Sequence, residues 1–311
     1  MKKLLAILLV LCTLTYTLAS CTVHDDTTVR IGVLNGPTGM GMAKLMSDAK
    51  SDEASQYDFT SFSAPADAIP MLKKGELDML CLPTNVAALQ ASKLDSTIIA
   101  INCLGSLYLM TDENTTIEKL SDLAGKTVYA SVPDSTTGPI LNFLFTEAGI
   151  DVNVEFEANH DALVARIAKG EVSIAVLPEP KASAAATQNA KYSIDLNLST
   201  EWSKLSNQPL TMGCIVVRNE FLAEHKSVVD EFLAKYKSSI EYINAPANKD
   251  SAAAMITEAG IIPKLVMANK ALTNLYGSIV YIDGEDMKNA LNSFYTAIGQ
   301  SLPDESIYYV K

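Results

Sequence analysis

The chain has 311 residues, 48% hydrophobic and 19% charged, enough apolar material for one large core or two medium ones, and typical domain sizes favour two. Asp and Glu outnumber Lys and Arg by 36 to 24, a formal charge of -12 with no basic cluster, which excludes a nucleic-acid binder that must neutralise phosphates. Arginine occurs only at Arg30, Arg166 and Arg218, so a ligand carboxylate gripped by a bidentate guanidinium is disfavoured.

Lys2 and Lys3 precede an apolar run, 4–18, that ends in Leu18-Ala19-Ser20-Cys21. This is the pattern of a signal peptide, residues 1–20, closed by the lipobox at which bacterial lipoproteins are lipidated and cleaved. The apolar run is shorter than the ~20 residues a membrane span needs. Cys21 is therefore the expected lipidated first residue of the mature protein, and residues 21–28 its polar tether. Cys81, Cys103 and Cys214 remain, widely spaced; packing as buried free thiols is expected, with no disulfide framework and no metal signature.

The body opens with the β-branched run 29–34 bounded by Asn35-Gly36-Pro37, which reads as a strand entering a turn. Gly39-Met40-Gly41 then opens a helix whose apolar positions Met42, Leu45, Met46 and Ala49 recur at helical spacing; Met40 serves either the core or a cleft wall. Residues 57–63 form the next strand, and 65–74 a short helix that tolerates Pro70 only in its first turn. Lys74-Gly75-Glu76-Leu77-Asp78-Met79-Leu80-Cys81-Leu82-Pro83 reads as a helix end, a glycine in the left-handed closing conformation, a buried strand and a proline stop. Thr84 or Asn85 either caps the following helix or faces a cleft. The apolar run 98–110 is interrupted at Gly105-Ser106, where a first crossing between lobes is expected.

Residues 127–132 read as a strand, 133–138 as a turn, and 139–149 as a helix with Pro139 at its first position and Gly149 past its end. A strand at 152–156 and a helix at 162–169 capped by Asp161 follow. Lys169-Gly170-Glu171-Val172-Ser173-Ile174-Ala175-Val176-Leu177-Pro178 then repeats the earlier segment ninety-five positions on, and Thr137-Gly138 echoes Thr38-Gly39. The expected fold is α/β: two similar βαβ lobes joined by two crossing strands. Residues 192–198 close the second lobe, and Trp202 packs a hinge or walls a cleft. Residues 211–218 form the return crossing, and the largely helical remainder rejoins the first lobe. Lobe I is thus 29–105 with 208–311, and lobe II is 106–207.

Ligands of open α/β sheets bind outside the carboxyl ends of strands. Two lobes facing each other place four loop sets around one cleft, and the candidate ligand contacts are Asn35, Pro37, Thr38, Gly39 and Met40; Thr84 and Asn85; Asp134, Ser135, Thr136, Thr137 and Gly138; and Glu179. Thr38-Gly39 and Thr137-Gly138 each open a helix whose first N–H groups are unpaired, so two helix starts can hold an anionic head group without arginine; the competing reading makes them turn and cap residues. Glu179 and Asp134, the nearest acids, either accept an amine or ring N–H or lie exposed or capping. His24, His160 and His225 lack metal-ligand spacing, and no nucleophile elbow, P-loop or local Ser/His/Asp set occurs. Catalytic residues, metal and cofactor are expected to be absent.

The lipobox, Val29-Arg30-Ile31-Gly32, the Lys-Gly-Glu-Leu-Asp helix end and Leu120-Ser121-Asp122-Leu123-Ala124-Gly125-Lys126-Thr127-Val128 resemble the substrate-binding lipoproteins of ABC importers. The resemblance is to the group serving nitrate, aliphatic sulfonates, taurine and thiamine-precursor pyrimidines, and spans essentially all of the mature chain. It implies a type II periplasmic-binding-protein architecture and a monomer. Such a protein captures a small organic solute (sulfonate, carboxylate or heteroaromatic), delivers it to ABC permease and ATPase subunits, and is held outside the cytoplasm on the cell membrane by its lipid anchor. It further implies a protein that is not an enzyme. The cysteine-rich segment of pyrimidine-synthase relatives is absent, and Gly36-Pro37-Thr38-Gly39-Met40-Gly41 matches no defined ligand. The rivals are a lyase or synthase of the menaquinone or thiamine-precursor type on the same fold, with Asp134 and Glu179 as its acid/base candidates, and an extracellular sensor lipoprotein.

Overall fold

The computed structural model describes residues 25–131 and 136–310. Strands β1 (Val29–Leu34), β2 (Tyr57–Phe62), β3 (Met79–Pro83), β4 (Ser96–Leu104), β10 (Thr211–Arg218) and β11 (Ile279–Ile282) form one sheet in the order β11-β4-β10-β3-β1-β2. Strands β5 (Leu107–Asp112), β6 (Thr127–Ser131), β7 (Asn153–Glu157), β8 (Ile174–Pro178) and β9 (Tyr192–Asn197) form the other, in the order β7-β6-β8-β5-β9. The two are built alike. β1 pairs in parallel with β2 and β3, and β6 with β7 and β8. Each sheet also takes in one antiparallel strand as the chain arrives from the other: β5 enters between β8 and β9, and β10 between β3 and β4.

Helices α1 (Pro37–Met40), α2 (Ala43–Ser51), α3 (Pro65–Lys73), α4 (Thr84–Leu94), α9 (Asn219–Glu224), α10 (Lys226–Asn244), α11 (Lys249–Glu258), α12 (Leu265–Asn274) and α13 (Gly284–Ala297) accompany the first sheet in sequence. Helices α5 (Thr137–Glu147), α6 (His160–Lys169), α7 (Lys181–Gln188) and α8 (Leu198–Ser206) accompany the second.

The repeated segment shows why the copies fold alike. Gly75 and Gly170 hold φ of 72° and 73°, a conformation that suits glycine because a side chain would crowd the following carbonyl. The same closing bonds follow at both ends: Glu76 N–H donates to Met71 O, and Glu171 N–H to Arg166 O. β3 and β8 are then buried on both faces up to their terminal prolines.

Local expectations are corrected in five places. The first helix splits into α1 and α2 and begins at Pro37 rather than Gly39. Pro70 sits inside α3, tolerated because it and Ala66, whose carbonyl it leaves unpaired, both face solvent. Asn159, not Asp161, caps α6 by accepting Ala162 N–H at 2.8 Å. Pro139 is the third residue of α5. β11 and α8 had no reading as elements, the former because its four residues are too few for a periodic signal.

Among the described residues the buried apolar side chains fall into three clusters. One lies between the first sheet and α10 and α11, one beneath α6 and α7. The third is common to both sheets, joining Leu80, Cys214 and Val216 to Leu107, Val128 and Val176. Trp202 of α8 is fully buried within it, its ring 4.3 Å from Phe143 of α5 and 5.7 Å from Phe294 of α13. Of the two readings of Trp202, packing at the junction is the one observed. Beside it Gly105 lies so close to α8 that a Cβ there would fall 1.6 Å from Ser199 Oγ.

Candidate interlobe ligand site

Residues that follow β3 and β6, and residues that follow β1 and β8, come close to one another between the two sheets. Thr136 Oγ1 donates to Asn85 Oδ1 at 2.7 Å, and both side chains are buried. A Cβ on Gly36, whose φ is 90°, would stand 4.0 Å from Pro180 Cδ. Glu179 is 1% exposed. Its Oε1 accepts Ser183 Oγ at 2.8 Å and the Asn274 Nδ2 amide, its Oε2 accepts Ser183 N–H at 3.3 Å, and its own N–H donates to Ser106 O. Asn274 comes from α12, so this carboxylate joins the two halves of the molecule. The Tyr108 phenol donates to Asn274 O at 2.5 Å, and burial, with Glu179 next, pushes its pKa up to about 12.

The residues singled out in sequence divide by placement. Asn35 is exposed; Pro37, Thr38 and Gly138 are half-buried; Gly39, Asn85, Thr136, Thr137 and Glu179 are buried. Asp134 and Ser135, with Cys21, lie outside the described residues. Met40 is fully buried in the core of the first lobe and is not a cleft wall. Thr84 is neither cap nor cleft group: its hydroxyl donates to Thr211 O at 3.1 Å and its carbonyl accepts the Tyr295 phenol, tying α4 to β10 and α13. The anion-holding role of Thr38-Gly39 is weakened, because α1 is one turn long and Gly39 N–H already bonds to Gly36 O.

Sequence reasoning missed Asn102, Tyr108, Ser183 and Asn274. Asn102, 1% exposed in β4, fixes α1 by donating to Thr38 O at 3.0 Å. A lone amide inside the apolar run 98–104 was its one available signal, since a buried amide needs a partner. Asn274 had none, being remote from Glu179 in sequence. His160 opens α6 and its Nδ1 bonds to Ser131 Oγ at the end of β6; burial and then Lys181 lower its pKa below the usual value. The described residues contain no group of three or more His, Cys, Asp or Glu able to hold a metal ion.

A family model for menaquinone biosynthesis matches residues 45–300. The chain belongs to this menaquinone-biosynthesis family. That membership overturns the expectation of a protein that is not an enzyme, since the family is a biosynthetic one. No curated protein matches the sequence. Solved structures similar to it include an ABC transporter protein from Parabacteroides distasonis, at 20% identity and a TM-score of 0.74, covering 92% of this chain and 99% of that one. The periplasmic aliphatic sulphonate binding protein SsuA from Escherichia coli follows at 16% identity and a TM-score of 0.71, covering 91% and 92%. The periplasmic nitrate-binding protein NrtA from Synechocystis PCC 6803 gives 10% identity and a TM-score of 0.60, covering 84% and 74%. At such identities the likeness establishes the fold: the family member described here has the architecture of the periplasmic solute-binding proteins of ABC importers.

Proposed function

We propose that this chain is an exported solute-binding protein, lipid-anchored through Cys21, that captures a small organic solute and hands it to the permease and ATPase of an ABC importer. In this reading the lobes are residues 29–105 with 208–311, and 106–207. The solute is held by Asn35, Pro37, Thr38, Gly39, Asn85, Thr136, Thr137, Gly138 and Glu179, with Asp134 and Ser135, which precede Thr136 in sequence, as further candidates. The observation that carries it is that residues following strands of the two sheets reach across, Thr136 to Asn85 and Glu179 to Asn274 at the end of α12. A solute touching both lobes stabilises the closed arrangement by its differential affinity for that state, which is the free energy that drives a hinge.

A thermal-shift screen of metabolites on the purified protein identifies the solute, and small-angle scattering at saturation tests the mechanism. A smaller radius of gyration with solute than without is expected; superimposable curves refute capture by closure. The family match favours a second reading, conversion of the captured compound on the same scaffold, with Asp134 and Glu179 as its acid/base groups. Mass spectrometry of the bound solute after prolonged incubation separates the two, a changed mass establishing turnover.

A further inference from the structure

Glu179 buries a carboxyl group to which no cation is bonded among the described residues. Its side chain is 1% exposed, and the groups bonded to it among the described residues are neutral: a serine hydroxyl, a serine N–H and an asparagine amide. The arginines are committed elsewhere. Arg30 and Arg218 both bond to Asp78, immediately before β3 and so at the opposite end of that strand from the cleft. Arg166 holds Glu157 and Glu171. Of the nearer lysines, Lys181 is paired with Asp161 and Lys270 donates to Thr187 Oγ1.

Burial of a carboxylate without a cation is unfavourable unless a positive or N–H-rich group arrives to satisfy it. A second anion brought into the same poorly screened space is repelled by it. Glu179 also keeps acceptor capacity: a carboxylate oxygen has two lone-pair sites, and Oε2 accepts one contact among the described residues, at 3.3 Å. The other polar side chains that meet at the interface, Asn85 and Thr136, are neutral as well.

We infer that the solute presents an amine, an amidine or a ring N–H to Glu179, and that sulfonate and carboxylate head groups are excluded from that end of the cleft. The inference rests on the solute-capture reading above and narrows the ligand to cationic or N–H-donating compounds, a class different from the anions named for SsuA and NrtA. A charge-assisted hydrogen bond of this kind, made in the closed state, also sets the sign of selectivity: the neutral Gln isostere loses the ligand instead of strengthening it.

The test compares benzylamine, benzamidine and 4-aminopyridine with benzoate and benzenesulfonate, by calorimetric titration and thermal shift on the full chain in detergent. The N–H donors are expected to bind and stabilise the protein and the acids to leave it unchanged. Glu179→Gln is expected to weaken the donors about 10- to 100-fold, and Glu179→Asp, which keeps the charge, to retain their preference over the acids. Binding of the acids with lobe closure in scattering overturns this inference and leaves solute capture standing. Donor binding unaffected by Glu179→Gln overturns it too. If no probe of either set binds or shifts the melt, this inference falls, while the capture reading is decided separately by the metabolite screen and scattering.

Discussion

The single tryptophan reports on how the two lobes are held together. Trp202 is fully buried, packed between Phe143 of α5 and Phe294 of α13, in a cluster that draws side chains from both sheets. Replacing it with alanine removes the shared contact and leaves a void that close-packed neighbours fill only in part, at a cost of about 3–5 kcal/mol. At roughly 2–4 °C per kcal/mol for a chain of this size, the melting temperature should fall by roughly 6–20 °C. The cooperative unit should change as well. The shared cluster keeps Leu80, Cys214 and Val216 with Leu107, Val128 and Val176 but loses its largest buried side chain, so the calorimetric transition should broaden toward two steps. Trp202→Phe should cost far less, because it keeps an aromatic ring and removes an indole N–H that has no hydrogen-bond partner among the described residues. Scanning calorimetry on both variants measures this. A Trp202→Ala protein that melts in one transition within 2 °C or so of the wild type would refute the idea that this junction couples the lobes.

Other expectations follow from single groups. Asp78, with a fully buried side chain that accepts Arg30 N–H at 2.9 Å, Arg30 Nε at 2.8 Å, Arg30 Nη2 at 2.6 Å and Arg218 Nη2 at 3.4 Å, should cost about 3–5 kcal/mol on Asp78→Ala, measured by urea unfolding. By contrast Lys191→Ala, which breaks an exposed pair with Glu113, should leave the urea midpoint where it was. Burial pushes the Cys81 and Cys103 thiols up to about 12 and raises Cys214 further above its usual range. At pH 8 roughly one Cys81 or Cys103 in 10⁴ is then thiolate, so all three should resist alkylation until guanidinium is added, as peptide mass spectrometry would show. Rapid labelling of the native protein contradicts that burial. Tyr108 keeps its proton to about pH 12 when folded, whereas the unfolded chain releases it near 10; its stabilisation is present below pH 10 and is lost between about 10 and 12. Tyr108→Phe should make the alkaline fall in stability shallower, and an unchanged slope contradicts the assignment.

How much of this was legible depended on whether a residue's role is local. The strand 211–218 was read to the residue, because a β-branched run between polar segments carries its own signal. The duplicated helix end and strand were equally plain, since left-handed glycine and stop proline act through the backbone. The four loops proposed for the site could be located in the sequence, whereas the contacts their residues make could not. Thr84 looks the same in sequence whether it faces a cleft or bonds to Thr211 O, because its partner lies 127 positions away. Asn274 becomes a partner of Glu179 through the return of α12 to the interface, a consequence of topology that no local window contains. Pro70 failed as a helix signal for a related reason, its tolerance being set by which side of α3 meets water.

The internal repeat separates what the scaffold requires from what the cleft requires. Gly75 and Gly170, and Pro83 and Pro178, are the same at equivalent places, because the turn into each strand and the end of each strand need the same backbone. One position further on the copies part: Thr84 in the first corresponds to Glu179 in the second, and Asn85 to Pro180. Thr84 is drawn back into its own lobe by β10 and α13, which leaves Asn85 to reach Thr136. Glu179 crosses to Asn274 instead. A duplicated unit under backbone constraint alone has no reason to put a carboxylate on one side and a hydroxyl on the other, and a buried carboxylate carries an electrostatic cost that a hydroxyl does not. The asymmetry therefore falls at the position after each stop proline, where the first copy places the neutral pair Thr84 and Asn85 and the second places Glu179, and it is this position that the proposed solute contact would read.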